Sequence, residues 1–327
     1  MSPRTYWHLA GLKHKPTAYE IGSTRVLYYP GRGGFEVAHP VADWYQAHQA
    51  GSPFQVPDWD AFADPAAMTY RDYVARRHEQ ELFVTGLHAS IDGTDYDREL
   101  DPAWLDLFAR VVAPLRFPVH GLQMIAAYVG QLAPGGRVAI AALFQTADEL
   151  RRVQRLAYRL AELRQTYPEL GRDARELWQT APEWQPLRQI VERLLTCYDW
   201  GEAFVGLNLV LKPRFDELVM THLAMLARGF EDDLLAKLFY SLNEDCRWHR
   251  AWSGELVRTA LRARPENREP LVTWIDRWTP LARAAVEGLA GMFDEGRDRI
   301  PGCSSAGVLE AIEETIRAFA QAWGIES

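Results

Sequence analysis

With 327 residues, 48% of them hydrophobic, the chain can bury a large core and is too apolar to stay disordered. A net charge of -8, with no long run of Lys or Arg, argues against a nucleic-acid surface or a polybasic membrane patch. Cys197, Cys246 and Cys303 are too scattered for a disulfide framework or a zinc motif, and neither a signal-type segment nor a stretch of about 18 apolar residues is present, so a reducing cytoplasm is the expected compartment.

Residues 1–57 carry Pro3, Pro16, Pro30, Pro40, Pro53 and Pro57 with several glycines, which keeps regular structure short. The same stretch holds Trp7, His8, Tyr19, Tyr28 and Trp44, aromatic anchors that suit an extended N-terminal arm lying on its own bundle or on another subunit. From 58 to 293 the pattern is helical, broken at Pro102, Pro114, Pro134-Gly135-Gly136, Pro168, Pro182 to Pro186 and Pro265. Leu143, Ala147, Leu150, Val153, Ala157 and Leu160 recur at spacings of three and four, which predicts a helix turning that stripe to the core. Residues 199–226 read as a second long helix, apolar nearly all round from Ala203 to Leu211 and so central, with a kink expected at Lys212-Pro213. Trp200, Glu202 and Asn208 on that helix must find partners across the bundle or at a subunit interface. Residues 294–327 read as a separate turn and helix, its serines capping the helix from about Ser304 rather than forming a nucleophile elbow.

Two four-residue stretches carry the chemistry. A di-iron site in a four-helix bundle takes a Glu from each of two helices and a Glu-x-x-His from each of the other two, the i, i+3 spacing putting both ligands on one face. Glu149-Leu-Arg-Arg152 keeps the carboxylate but has a guanidinium, which has no lone pair to give, where the imidazole belongs. Cys246-Arg-Trp-His249 keeps the imidazole and offers a thiol for the carboxylate. An intact Glu36-Val-Ala-His39 sits among helix-breaking Gly and Pro and is read as a chance match. By spacing alone a solvated helix face, where charges at these intervals are common, is the favoured reading, so the surrounding sequence has to decide.

That sequence resembles the β subunit of the hydroxylase in bacterial multicomponent di-iron monooxygenases, in the toluene and alkene branch. The resemblance rests on His8-Leu9-Ala10 with Lys15-Pro16, Trp59-Asp-Ala-Phe62, Asp64-Pro65, Pro114-Leu-Arg116, Leu122-Gln-Met124, Ala127-Tyr128, Gln145-Thr-Ala-Asp148, Asp199-Trp-Gly-Glu-Ala-Phe204, Asn208-Leu-Val210, Lys212-Pro213 and Trp274-Ile275, in that order along one chain. It implies a mostly α, ferritin-like bundle with no cofactor of its own, in an (αβγ)2 hexamer whose α subunit holds the di-iron centre. An effector protein, a Rieske ferredoxin and an NADH reductase complete the implied system. The expected function is a non-catalytic β subunit of an enzyme hydroxylating aromatic hydrocarbons such as toluene, with no catalytic, cofactor-binding or metal residue in this chain. Glu149, Arg152, Cys246 and His249 are then degenerate ligand positions, and Trp7, His8, Tyr19, Tyr28, Trp44, Trp200 and Glu202 are subunit-interface candidates. The alternatives are an alkene- or isoprene-type epoxidising system, a metalloenzyme built on Glu149, Glu202, His249 and further carboxylates not identified in the sequence, and a helical scaffold holding an apolar ligand.

Overall fold

The computed structural model describes residues 6–26, 40–300 and 303–325, and every regular element among them is helical. Helices are short where prolines are dense: α1 (Ala18–Ser23), closed by a Thr17–Glu20 capping box, and α2 (Pro40–Tyr45), which runs into a π-helical turn over Gln46–Ala50. These segments lie on the chain's own body. The Tyr45 hydroxyl donates to the Gln131 carbonyl at 3.0 Å, Gln49 Nε2 to the Leu132 carbonyl at 2.9 Å and Ser52 Oγ to Asp199 Oδ1 at 2.9 Å.

Helix α3 (Tyr70–Ile91) starts at a Thr69–Asp72 capping box and buries only Val84 and His88 of its 22 residues, so it lies across the surface. After α4 (Pro102–Leu107), α5 (Arg116–Leu132) and α6 (Gly136–Thr166) form an antiparallel hairpin about a tight turn at 133–135. Trp59 closes over that turn, where a Cβ on Gly135 would stand 2.7 Å from the Trp59 Cβ. Two shorter helices, α7 (Ala174–Thr180) and α8 (Gln185–Leu195), lead to the central one.

The central helix, residues 200–229, is assembled from α9 (Trp200–Phe204), α10 (Lys212–Asp216) and α11 (Leu223–Gly229) with π-helical stretches at Val205–Leu211 and Glu217–His222 between them. Asp199 caps its start, accepting from the Gly201 and Glu202 amides at 2.9 and 3.0 Å. Pro213 lacks a backbone donor, and the chain meets it with the wider π turn just before, so the helix continues to Gly229. A short turn capped by Asp232 reverses it into α12 (Asp233–Ala263), giving the second hairpin of a four-helix bundle. Then α13 (Arg268–Ala290) and α14 (Ser305–Trp323) flank the bundle, α14 capped by Ser304, whose hydroxyl accepts from the Gly307 amide at 3.1 Å. Val308, Ile312, Ile316 and Trp323 of α14 belong to the same continuous core as the bundle helices.

One expectation inverts. The stripe of α6 predicted to face the core points outward, with Leu143 60% and Leu150 52% exposed and Ala147 exposed beside them; only its far end, at Leu160, is buried. The buried side carries Gln145, Asp148, Glu149, Arg151, Arg152 and Arg159 between the apolar Val138, Ala141, Phe144, Leu156 and Leu163. Helical period was legible, but its phase was set by ionic partners that other helices supply.

Helix α14 is seated through Trp323, whose ring takes the space beside Gly254 that a Cβ would fill at 2.2 Å. Gly254→Ala is expected to lift the Trp323 end of α14, costing about 1–3 kcal/mol of the kind overpacking costs. Hydrogen exchange of the α14 amides checks this: exchange should rise there and stay unchanged in α5 and α6.

Candidate functional site

The degenerate positions converge in the middle of the bundle. Helix α6 brings Glu149 and Arg152, the central helix brings Lys212 and Asp216, and α12 brings Cys246 and His249; all are 0–2% exposed. Helix α5 contributes no acid, since its buried face is Val119, Leu122, Ile125, Ala126 and Val129. Lys212 Nζ stands 2.8 Å from Glu149 Oε1 and 2.7 Å from Asp216 Oδ2, and Arg152 Nη1 stands 3.0 Å from Glu149 Oε2 and 2.9 Å from Asp216 Oδ1. Each carboxylate thus bridges both cations, one oxygen to each. Arg152 Nη2 also donates toward the Cys246 thiol, which in turn points at the Leu242 carbonyl.

A second ionic layer backs the first. The His249 ring donates through Nε2 to Asp148 Oδ2 at 3.0 Å. Arg77 of α3 holds Asp148 at both oxygens, at 2.6 and 2.8 Å, and the Tyr73 hydroxyl adds a bond at 2.8 Å. Asp245 pairs with Arg77 and with Arg151, the latter at 2.8 Å, and accepts from Gln80 at 3.0 Å. Four carboxylates, Glu149, Asp216, Asp148 and Asp245, therefore face four cations, Lys212, Arg152, Arg77 and Arg151. Below them Asn208 exchanges two amide hydrogen bonds with Gln145, at 3.0 and 3.1 Å, and donates to Ser253 at 2.9 Å.

Burial and charge set the protonation states. Burial pushes the Cys246 thiol up to about 12, with Arg152 opposing, so it stays protonated. His249 is driven well below the usual imidazole range by burial and by the Lys212 and Arg152 cations, and is neutral. Against its burial, Asp216 is held below the ordinary carboxylate range by Arg152 and then Lys212. Asp245 goes the other way, raised to about 6 by burial and by the nearby Asp148.

The interface candidates fare differently. Trp200 is fully buried and meets Trp59 edge-on with centroids 5.1 Å apart, so it is core and not surface. Glu202 accepts from Arg277 at 2.7 Å and from Trp278 Nε1 at 3.1 Å, roughly 15 Å along the helix from Lys212, which removes it from any metal set with Glu149 and His249. Tyr19 is buried, its hydroxyl accepting from the Asp64 amide at 3.0 Å. Trp44 is partly exposed but already donates to the Tyr128 hydroxyl at 3.2 Å. His8 is half-buried, Trp7 opens a short 3-10 turn (Trp7–Leu9), and Tyr28 and the Glu36–His39 match lie outside the described residues.

Sequence reading missed Lys212, Asp216, Arg77, Arg151 and Asp245 as members of the site. The available signal was Lys212 and Asp216 at i, i+4 directly after the apolar run Ala203 to Leu211, where an uncompensated charge is too costly to bury.

The profile of the methane/phenol/alkene hydroxylase family matches residues 44–264, two thirds of the chain and all of the bundle. The chain belongs to that family. It is 39% identical over 296 residues to the β subunit of the toluene-4-monooxygenase hydroxylase component of Ectopseudomonas mendocina, covering 89% of this chain and 90% of that one. It is 26% identical over 315 residues to the small subunit of the propane 2-monooxygenase hydroxylase component of Rhodococcus jostii, covering 90% and 83%. Among solved structures it superposes on a chain of toluene 4-monooxygenase with a TM-score of 0.84, at 39% identity and over 88% of this chain and 97% of that one. A phenol hydroxylase chain from a Pseudomonas species, at 20% identity, shares the fold with a TM-score of 0.79 over 96% and 92%. The ferritin-like bundle and the β-subunit likeness expected from sequence both hold.

Against a di-iron ligand set the residues of this family member do not fit. Glu149 and Asp216 are bridged instead by the Arg152 guanidinium and the Lys212 ammonium. Among the described residues no group of three or more His, Cys, Asp or Glu side chains is arranged around a common point free to take a metal.

Removing one partner of a buried ionic set leaves the others uncompensated, so Asp216→Asn is expected to cost about 3–5 kcal/mol at pH 7. The sign with pH follows from the depressed Asp216 carboxyl. Its contribution is present above the unfolded carboxylate range, near pH 4, and is lost as pH falls toward the folded value. Melting temperatures of wild type and Asp216→Asn should therefore begin to converge only as pH falls below about 4 and keep converging toward the folded value; a gap independent of pH would contradict the assignment.

Proposed function

We propose that this chain is the non-catalytic β subunit of a soluble monooxygenase hydroxylase. Its α partner holds the di-iron centre and inserts one oxygen atom from O2 into an aromatic hydrocarbon such as toluene. The observation that carries this reading is the bundle centre itself: where a metal would sit, the chain supplies its own cations. The 39% identity to a toluene-4-monooxygenase hydroxylase β subunit supports the aromatic branch over the alkene one. On the same reading the assembly is (αβγ)2, with an effector protein, a Rieske ferredoxin and an NADH reductase, in the cytoplasm; no helix among the described residues is long and apolar enough to cross a membrane.

The outward stripe of α6 gives the partner a place to dock. Leu143, Ala147 and Leu150 form an apolar ridge, and Met124 on the antiparallel neighbour α5 is also exposed. We assign this ridge to the α-subunit contact, with the partly exposed Trp44 as its anchor; a few residues in the desolvated centre of an interface, Trp prominent among them, carry most of its binding energy.

Two measurements test the proposal. Iron should be absent from the lone chain and present in the complex formed on co-expression with its partner subunits; roughly two iron atoms per lone chain would overturn the reading. Leu143→Asp with Leu150→Asp should leave the lone chain's melting temperature within about 2 °C, because both positions are exposed, while co-purification of the α subunit is lost. Unchanged co-purification would move the contact elsewhere.

A further inference from the structure

A cavity of about 160 Å3 opens where α14 begins, between the end of the central helix and the 3-10 turn Gly291–Gly296. The packing around it is tight. Ile300 Cδ1 would lie 2.4 Å from a Cβ on Gly229, and Leu226 Cδ1 would lie 2.4 Å from a Cβ on Gly296. Interiors pack like organic crystals, so a void of this size beside two such close approaches is a defined recess and not general slack. Leu226, Phe293 and Val308 are its buried walls, and Met225, 45% exposed, stands at its mouth.

The two polar members of the lining carry no charge. Cys303 Sγ donates to the Phe293 carbonyl at 3.2 Å. The His222 ring lies edge-on to Phe293 with centroids 6.2 Å apart, and burial holds it below the usual imidazole range, hence neutral at pH 7. Among the described residues no carboxylate, ammonium or guanidinium lines the space. Water finds few partners in such a recess, and cavities of about 150 Å3 lined by Leu, Ile and Phe stay dry and take benzene. A phenyl ring with the sulfurs of Met225 and Cys303 favours an aromatic guest, through edge-to-face and sulfur–aromatic contacts.

We propose that this recess binds one small monocyclic aromatic hydrocarbon, of the size of benzene or toluene, between the central helix and the first turn of α14. The class of guest, small, uncharged and aromatic, rests on the walls alone; the choice of toluene rests on the proposed function. A bound ring touches Leu226 on one side and Val308 on the other, so occupancy ties the start of α14 to the bundle, as Trp323 ties its end.

The test uses the full-length chain without partner subunits, equilibrated with toluene in sealed vials, the bound amount read from the loss of toluene in the headspace. About one per chain is expected. Val308→Phe places a phenyl ring in the recess and should lower the affinity roughly tenfold or more. Benzoate should not displace toluene, because its carboxylate would be buried without a partner. The unmutated chain fixes the place: near saturation toluene should slow iodoacetamide alkylation of Cys303 roughly threefold or more. Half-buried Cys197, followed in the same digest by mass spectrometry, should keep its rate. The proposal is overturned if the chain takes up no toluene, if folded Val308→Phe takes up as much as wild type, or if the Cys303 rate does not change. If Val308→Phe does not fold, the comparison of Cys303 with Cys197 decides. Any of these failures leaves the hydroxylase reading standing, since iron content and co-purification decide that one.

Discussion

The structure is organised around a closed ring of four charges, in which Glu149 and Asp216 each reach the same two cations, Arg152 and Lys212. Such a ring adds little net stability, because well-packed apolar side chains of the same volume serve as well or better. Breaking it is another matter, since any displaced member leaves a bare charge in a dry interior. The ring therefore specifies position more than strength: α6 and the central helix cannot slide past one another without separating it. Cys246 and His249 of α12 close against the same ring, so three of the four bundle helices take their mutual register from one place.

The inversion of α6 follows from the same constraint. A helix normally turns its charged residues out, yet the buried face of α6 mixes Ala141, Phe144 and Leu156 with its charges. Here each buried charge of α6 near the ring finds its counter-charge on α3 or on the central helix, and the ionic stripe can go in. Leu143, Ala147 and Leu150 are then left facing out. The ionic interior and the exposed apolar ridge are two sides of one helix.

Much of this was legible before any coordinates. Helix period, the Pro and Gly breaks, the capping serine of α14 and the motifs at 149–152 and 246–249 come from local chemistry, and local chemistry is what a sequence displays. Phase and partnership are different, because they depend on which residues of distant helices meet. Arg77 and Asp148 are 71 residues apart and Arg152 and Cys246 are 94 apart. Nothing in the spacing of α6 alone says whether its acids and arginines point to water or to each other. Trp200 misled for a related reason: an aromatic side chain at the start of a helix suits an interface and a core equally, and Trp59 and Phe54, on a distant segment, place it in the core.

Helix α3 is fastened almost without grease. Beyond the buried Val84 and His88, its inward groups are Tyr73, stacked on Phe144 with centroids 4.4 Å apart, Arg77 on Asp148 and Asp245, Gln80 on Asp245 and Glu81 on Arg151. An apolar face would tolerate a slip of one turn, trading one contact for a similar one. This face does not. Moving α3 by a single turn, about 5.4 Å, would carry Arg77 away from both aspartates at once, leaving Asp148 without its paired cation and Asp245 with Arg151 alone. The helix thus has a single seat, keyed like a lock pin, and its outward residues are held at fixed coordinates on the surface although barely any of its own surface is buried.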